Sequence, residues 1–120
     1  MVTEALVKVF DFNDPVLGQQ YGNGHLHVNF PRHEIWTNRE GEWERVELTR
    51  TEFALLVAFL RHRGLVLSTS HLSELVWPDE LPSPEAVRWH INRLRHKLDG
   101  ELIETVRGFG YRYRPPEVAV

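Results

Sequence analysis

The segment with the most suggestive chemistry is ETVRGFGYRY, residues 104–113. Two glycines flank Phe109, and tyrosines and arginines alternate after them. The segment could be a glycine loop that binds phosphate, a plain hairpin turn, or a basic finger that contacts a larger partner. A phosphate-binding loop needs a helix after the glycines, whereas Tyr-Arg-Tyr-Arg-Pro-Pro alternates as a strand does. We therefore predict a hairpin whose turn holds Arg107 at the tip and Tyr111 at the flank.

A second candidate contact region is RWHINRLRHK, residues 88–97, which contains four Arg or Lys residues and no acid. Apolar residues recur here at helical spacing and are expected to face the core: Val87, Ile91, Leu94 and Leu98. The opposite side of that helix is then occupied by Glu85, Trp89, Asn92, Arg93 and His96. The cations of this face could be simply solvated. Because Trp and Asn beside them also commonly contact nucleic acid, the pattern favours a DNA-contacting face.

Composition narrows the classes of function. The 120 residues suit one domain, and 42% hydrophobic with 26% charged residues is typical of a globular protein. The net charge of −3 argues against nucleic acid at first sight, but the acids concentrate in residues 34–47, away from the basic segment. The absence of cysteine excludes disulfides, thiolate metal sites and thiol nucleophiles. No apolar run is long enough for a membrane span, and we expect a cytoplasmic protein.

Histidines and paired carboxylates are the remaining candidates for chemistry. His25 and His27 are expected on one strand face with His33 nearby, but no cysteine or carboxylate cluster accompanies them, so no metal site is predicted. The carboxylate pairs lie in turn-rich segments without a partnering His or Ser. We predict neither an enzyme nor a cofactor.

The elements that position these residues follow from capping signals and periodicity. Residues 25–48 alternate in short runs that predict an antiparallel meander. Three helices are predicted from the caps that begin them, Thr49 (with Glu52 as a capping box), Ser68 and Ser83, and the stops that follow, Gly64, Pro78 and Gly100. We expect Trp36, Trp43 and Trp77 to close the core or the sheet, whereas Trp89 needs another partner. The fold class is α+β.

Residues 1–23 are ambiguous. Leu6 to Phe12 is a strand candidate, and the turn-forming stretch NDPVLGQQYGNG follows it. The region could be an extra edge strand, a linker or a partly ordered arm.

Four segments, LTRTEFALL, LSTSHLSELVW, VRWHINRLRHKL and IETVRGFGYRY, together resemble the OmpR/PhoB family of winged helix-turn-helix domains, the effector half of many bacterial two-component response regulators. The resemblance covers residues 24–114 and leaves residues 115–120 as a tail. It implies an N-terminal antiparallel sheet of four strands, three helices and a C-terminal β-hairpin wing that together bind double-stranded DNA and regulate transcription. The third helix would enter the major groove and the wing the minor groove.

The resemblance also implies roles for individual residues. In the groove-reading helix, residues 85–98, Arg93 is expected to contact bases, with Arg88, Trp89, Asn92 and His96 beside it. Phosphate contacts would fall to Trp77, His90, Arg95 and Tyr111, and wing contacts to Thr105 and Arg107. Glu85 departs from the family, since it stands where a cation usually approaches the backbone. The segment Pro78 to Pro84 matches a loop that can contact RNA polymerase, and two copies are expected head to tail on DNA.

The usual receiver domain has no counterpart here, since the residues before position 24 are too few for one, so we expect an excised or a free-standing effector domain. An alternative hypothesis is a protein-interaction module that keeps the winged-helix frame, has lost DNA affinity and uses its acidic sheet and Trp89 to bind a protein such as RNA polymerase.

Overall fold

The computed structural model describes residues 18–114, in which a four-stranded sheet is followed by three helices and a two-stranded hairpin. The strands of the sheet are β1 (Gln20–Gly22), β2 (Leu26–Asn29), β3 (Glu34–Arg39) and β4 (Glu42–Val46), and those of the hairpin are β5 (Ile103–Val106) and β6 (Gly110–Tyr113). The helices are α1 (Arg50–Arg61), α2 (Thr69–Val76) and α3 (Pro84–Lys97). This order confirms the predicted α+β winged-helix architecture. No helix between residues 18 and 114 has both the length and the apolar character that a bilayer crossing requires.

The four-stranded sheet is antiparallel throughout, in the order β1-β2-β3-β4. Alternation along the strands directs Leu26, Val28 and Ile35 into the core. Trp36 pairs with Arg45 on the opposite, outer face. Trp36 and Trp43 are 40% and 42% exposed there, so they cover the outside of the sheet rather than the core. Trp77, in contrast, packs against the core as expected.

Strand β1 arises within the stretch of turn-forming residues. Tyr21 pairs with Val28, and its ring meets Tyr113 edge-on at 6.1 Å between centroids. One aromatic side chain therefore anchors three residues that carry little strand signal of their own. An extra edge strand was one of the alternatives for this region. The other strand candidate, Leu6 to Phe12, lies outside the described residues.

The predicted capping box begins α1. The Thr49 hydroxyl accepts from the Glu52 amide at 3.1 Å, and the Thr49 amide donates to Glu52 Oε1 at 2.8 Å. Every residue from Phe53 to Leu60 is buried, which makes α1 the centre of the core. Helices α2 and α3 likewise begin at the predicted serines, Ser68 and Ser83.

Helix α3 ends at Lys97 with Leu98 as its C-cap, in agreement with the predicted range 85–98, and Gly100 lies just beyond that end. Asp99 accepts a hydrogen bond from the Glu101 amide at 3.1 Å and caps a short 3-10 turn at Gly100–Leu102. The Arg39 guanidinium donates to the carbonyls of His96 (2.8 Å) and Leu98 (3.2 Å). A cation from the sheet thus satisfies the end of α3, where the helix dipole favours positive charge.

Candidate nucleic-acid interface

The outward side of α3 and the hairpin formed by β5 and β6 make one continuous surface, here termed the α3–wing surface. An open groove of about 330 Å³ runs between them. Its lining combines Arg88 of α3, Ser68 and Thr69 at the start of α2, and residues 105–111 of the hairpin. Three separate elements therefore present side chains to the same region.

The hairpin turn depends on two glycines with positive φ, Gly108 at 83° and Gly110 at 147°. A Cβ added at Gly110 would lie 2.1 Å from the Leu67 carbonyl oxygen, so any side chain would force the hairpin away from the start of α2. Leu67 holds it there, with its amide donating to the Tyr111 carbonyl at 2.7 Å and its carbonyl accepting from the Tyr111 amide at 2.9 Å. The predicted turn is confirmed.

The tip of the hairpin is open to solvent. Arg107 is exposed and makes no side-chain hydrogen bond or ion pair with residues 18–114. Phe109 is 74% exposed beside it. An unpaired cation next to an unpacked ring is available for contact with a partner.

Arg95 fastens α3 to β5. Its Nε donates to the Ile103 carbonyl at 3.0 Å, and Nη2 donates to the Thr105 hydroxyl at 2.6 Å. Its guanidinium also lies over the Tyr111 ring, 5.2 Å from the centroid. Tyr111 is only 7% exposed and belongs to the core, so its ring supports Arg95 from beneath.

Glu52 connects α1 to the second half of α3. Its side chain is 1% exposed, and Oε1 accepts from Lys97 Nζ at 2.6 Å as well as from the Thr49 amide. Oε2 is buried and accepts no hydrogen bond from residues 18–114, and Arg93 Nε lies 3.5 Å from it. Burial raises the pKa of Glu52, but the hydrogen bonds from Lys97 and Thr49 outweigh it and bring the pKa below its ordinary value. Glu52 is therefore a carboxylate at neutral pH.

Aromatic rings surround the middle of α3. Trp89 is 56% exposed, its face carries the Arg93 guanidinium at 5.0 Å, and its ring meets His90 edge-on at 4.9 Å. The His90 ring also lies 5.5 Å from the Trp77 ring. Burial lowers the pKa of His90; the Glu52 charge opposes this shift and the Arg93 charge adds to it. His90 is thus neutral at pH 7, between two tryptophans.

The predicted contact residues lie on α3, on the hairpin and at the end of α2, and the structure divides them by exposure. Those that are exposed are Glu85, Arg88, Trp89, Asn92, Arg93, His96, Thr105 and Arg107. Those that are partly or fully buried are Trp77, His90, Arg95 and Tyr111, the residues to which the resemblance assigns phosphate contacts. Glu85 lies 3.5 Å from Arg88 in an exposed ion pair.

Sequence reasoning missed two contributors to the α3–wing surface. Ser68 was identified only as a helix cap, and Phe109 only as the residue between two glycines. Ser68 and Thr69 place the start of α2 beside the groove, and Phe109 lines its far end. No local pattern in the sequence indicates that the start of α2 lies beside the hairpin, because the two segments are far apart along the chain.

The histidines considered for metal binding each contact a different side chain. His27 contacts Trp43, His33 contacts Phe53, and His25 lies 3.8 Å from Asp99. No group of three or more histidines, acids or cysteines within residues 18–114 is placed to hold a metal ion.

Comparison with known proteins gives consistent matches. A family model described as "Transcriptional regulatory protein, C terminal" matches residues 43–113. The transcriptional regulatory protein CusR of Escherichia coli K12 is 42% identical in an alignment 78 residues long, which covers 61% of this chain and 34% of CusR. The chain therefore spans about a third of that relative's length.

Solved structures show the same fold. The DNA-binding domain of CpxR from E. coli superposes with a TM-score of 0.64 at 36% identity, covering 82% of this chain and 98% of that one. The response regulator DrrB, a Thermotoga maritima OmpR/PhoB homologue, gives a TM-score of 0.74 at 24% identity, covering 91% of this chain and 50% of that one.

Proposed function

This chain belongs to the OmpR/PhoB-type family of C-terminal domains of transcriptional regulatory proteins, and from that premise we propose that it binds double-stranded DNA in a sequence-specific manner. Helix α3 would occupy the major groove and the hairpin wing the adjacent minor groove. The observation that carries the proposal is the α3–wing surface, where Arg88 and Arg107 are exposed and Arg95 joins the helix to the wing.

The arrangement around α3 suits a groove bounded by two phosphate backbones. His90 and Trp77 lie on one flank of the helix, and Arg95 and Tyr111 lie on the other. Phosphate contacts from both flanks would centre α3 on the base edges between them. Thr105 and Arg107 would add contacts from the wing.

Base contacts would come from the exposed centre of α3. A fork from Arg93 onto a guanine is worth roughly 1 to 3 kcal/mol of discrimination. Trp89 would cover a thymine methyl group, while Asn92 and His96 hydrogen-bond neighbouring edges. Glu85 suits a cytosine amino group, because a carboxylate accepts hydrogen bonds and repels phosphate.

A selection of bound duplexes from a random pool tests the proposal and identifies the site. The selected duplex and a scrambled duplex of equal composition are then titrated at several salt concentrations. We expect tighter binding of the selected duplex, a steep fall with salt, and weaker binding by Arg93→Ala and Arg107→Ala. Absence of binding at low salt, or affinities that both substitutions leave unchanged, would rule the proposal out.

Two further assignments rest on DNA binding. Two copies would bind direct repeats head to tail about one helical turn apart, and the length of the DNA footprint measures this.

The loop Pro78 to Pro84, where Leu81 is 99% exposed, would contact RNA polymerase. Leu81→Ala should then lower transcription in vitro without lowering DNA affinity. For the domain boundaries, we propose residues 24–114 as the winged-helix domain, preceded by β1 (Gln20–Gly22) as an extra strand and followed by residues 115–120 as a tail.

A second function is favoured by one observation. The outer face of the sheet exposes Trp36 and Trp43 beside an acidic hairpin that contains Glu40, Glu42 and Glu44, and this surface suits a protein partner better than DNA. In a domain that had lost DNA affinity, this face together with Trp89 would bind a protein such as RNA polymerase. Capture of a partner from nuclease-treated extract, lost on Trp89→Ala, together with failed duplex binding would establish this alternative.

A further inference from the structure

We infer that Glu52, a buried residue of α1 outside the α3–wing surface, is a positioning residue that aims Arg93 at the DNA bases. The inference rests on the proposed function. It assigns Glu52 to sequence discrimination rather than to affinity for DNA in general.

The contacts of Arg93 are arranged so that its outer edge stays open. Its Nε lies 3.5 Å from Glu52 Oε2, and the face of its guanidinium lies on Trp89 at 5.0 Å. The two terminal nitrogens have no hydrogen-bond partner among residues 18–114. These nitrogens form the fork that a guanine edge requires. The carboxylate and the ring thus hold two sides of the guanidinium and leave the third free.

Glu52 is suited to this task because it is buried and one of its carboxylate oxygens accepts from two donors. Its Oε1 is fixed by the Thr49 amide at 2.8 Å and by Lys97 at 2.6 Å. Oε2 is then directed at Arg93, and its buried lone pairs have no hydrogen-bond donor within the described part of the chain. Lys97 is bound to Oε1, so Arg93 is the cation that lies beside Oε2, and this ion pair restricts a side chain that would otherwise sample many rotamers. Restricting a side chain before binding reduces the entropy lost on binding.

Simple electrostatics predicts the opposite change in DNA affinity when the Glu52 charge is removed. A carboxylate close to the DNA surface repels phosphate, so removing its charge should tighten binding to every duplex. If Glu52 positions Arg93, removing the charge should weaken binding to the selected duplex alone. The direction of the change therefore separates the two effects.

The test uses Glu52→Gln in the full chain. Glutamine at this position preserves the capping box, because its side-chain oxygen accepts from the Thr49 amide as glutamate does. The probes are the duplex obtained by selection, its scrambled counterpart, and the selected duplex with the Arg93-contacted guanine replaced. That guanine is the one at which Arg93→Ala no longer discriminates. Glu74→Gln, an exposed acid on α2, is the matched control for loss of one charge.

We expect Glu52→Gln to bind the selected duplex about tenfold more weakly and the scrambled duplex equally or slightly more tightly, with reduced discrimination at that guanine. In the Arg93→Ala background the same substitution should have no further effect on discrimination. A purely structural role would lower the melting temperature and leave the ratio of selected to scrambled affinity unchanged.

The outcomes separate the inference from the proposed function. If no duplex is selected, DNA binding itself fails. If Arg93→Ala reduces discrimination but Glu52→Gln leaves it intact, or tightens both duplexes alike, DNA binding stands and the positioning role is overturned. If Arg93→Ala has no effect on a duplex that is bound, the assignment of Arg93 fails, and the role of Glu52 fails with it.

Discussion

The two halves of α3 carry similar residues but differ in how these residues contact the rest of the fold. In residues 85–92, Arg88 and Trp89 are exposed, and neither contacts another strand or helix through a hydrogen bond or ion pair within residues 18–114. In residues 93–97, Arg95 is bonded to β5 and Lys97 to α1. Arg93 is both exposed and paired with Glu52 of α1. A basic run therefore contains fewer free cations than its charge indicates. The first half offers exposed side chains without attaching the helix, whereas the second half both exposes Arg93 and His96 and attaches the helix to the fold.

The largest effect should come from removing a fastening contact of the second half. Lys97→Met leaves the Glu52 carboxylate buried without its shortest partner. We expect the free energy of unfolding to fall by about 2 to 3 kcal/mol at pH 7, because a buried charged acceptor loses its donor while Arg93 and Thr49 remain. Urea denaturation measures the change. Arg50→Met, which removes an exposed cation of α1, should change stability by less than about 0.5 kcal/mol.

The effect of Lys97→Met on stability should depend on pH. The pKa of Glu52 is lowered in the folded protein, so its stabilising contribution is present above the ordinary pKa of 4.5 and is lost as pH falls through the folded value. The stability difference between wild type and Lys97→Met should therefore shrink as pH falls below 4.5. A difference that stays constant with pH would show that Lys97 acts through packing alone.

Arg95→Ala compared with Arg88→Ala sharpens the contrast, because both remove one arginine from the same helix. Arg95 donates to Ile103 and Thr105 and stacks on Tyr111. Its removal should cost about 1.5 to 2.5 kcal/mol of unfolding free energy, as hydrogen bonds from charged groups do. Arg88→Ala removes only an exposed ion pair with Glu85 and should lower the unfolding free energy by less than about 0.5 kcal/mol. Equal losses in thermal or urea unfolding would contradict the division of α3.

Local signals predicted the frame on which this division rests. Thr49, Ser68 and Ser83 cap their helices because a hydroxyl meets an amide a few residues away, and such short-range contacts are visible in sequence. The apolar stripe of α3 likewise predicted which side is exposed. The predicted base-contact residue Arg93 lies on the exposed side, and its role stays a prediction.

Contacts between distant segments were not predictable. The Glu52–Arg93 and Arg95–Ile103 pairs join different elements, and no local pattern marks which of several cations an acid or carbonyl will meet. Strand β1 depends in the same way on Tyr21 meeting Tyr113. The end of α3 is likewise bound by Arg39 from the sheet, a contact that no local pattern indicates. The sequence thus predicted the exposed side of α3 and did not predict the contacts that hold the helix in place.

Arg88, which contributes little to stability, should contribute measurably to DNA affinity. Arg88→Ala, which spares stability, should weaken binding to selected and scrambled duplexes alike, by about threefold to tenfold, and should reduce the slope of log affinity against log salt by about one. Arg88 lines the groove beside the wing, where a phosphate would fit. A loss confined to the selected duplex would instead make Arg88 a base contact.

The smallest effect concerns His90, which lies where the two halves meet. Its pKa is lowered by burial against Trp77 and by Arg93, against the opposing charge of Glu52. An unfolded histidine takes up a proton near pH 6.5 while the folded one resists it, so this contribution is full above pH 6.5 and is lost as pH falls. His90→Gln should therefore flatten the pH dependence of unfolding free energy between pH 7 and 5, by less than about 1 kcal/mol since the ring is partly solvated. His62, whose pKa is also lowered by burial, supplies the comparison: His62→Gln combined with His90→Gln should flatten the profile further. Parallel profiles for wild type and His90→Gln would mean that the aromatic contacts at the junction of the two halves tolerate a charged imidazole.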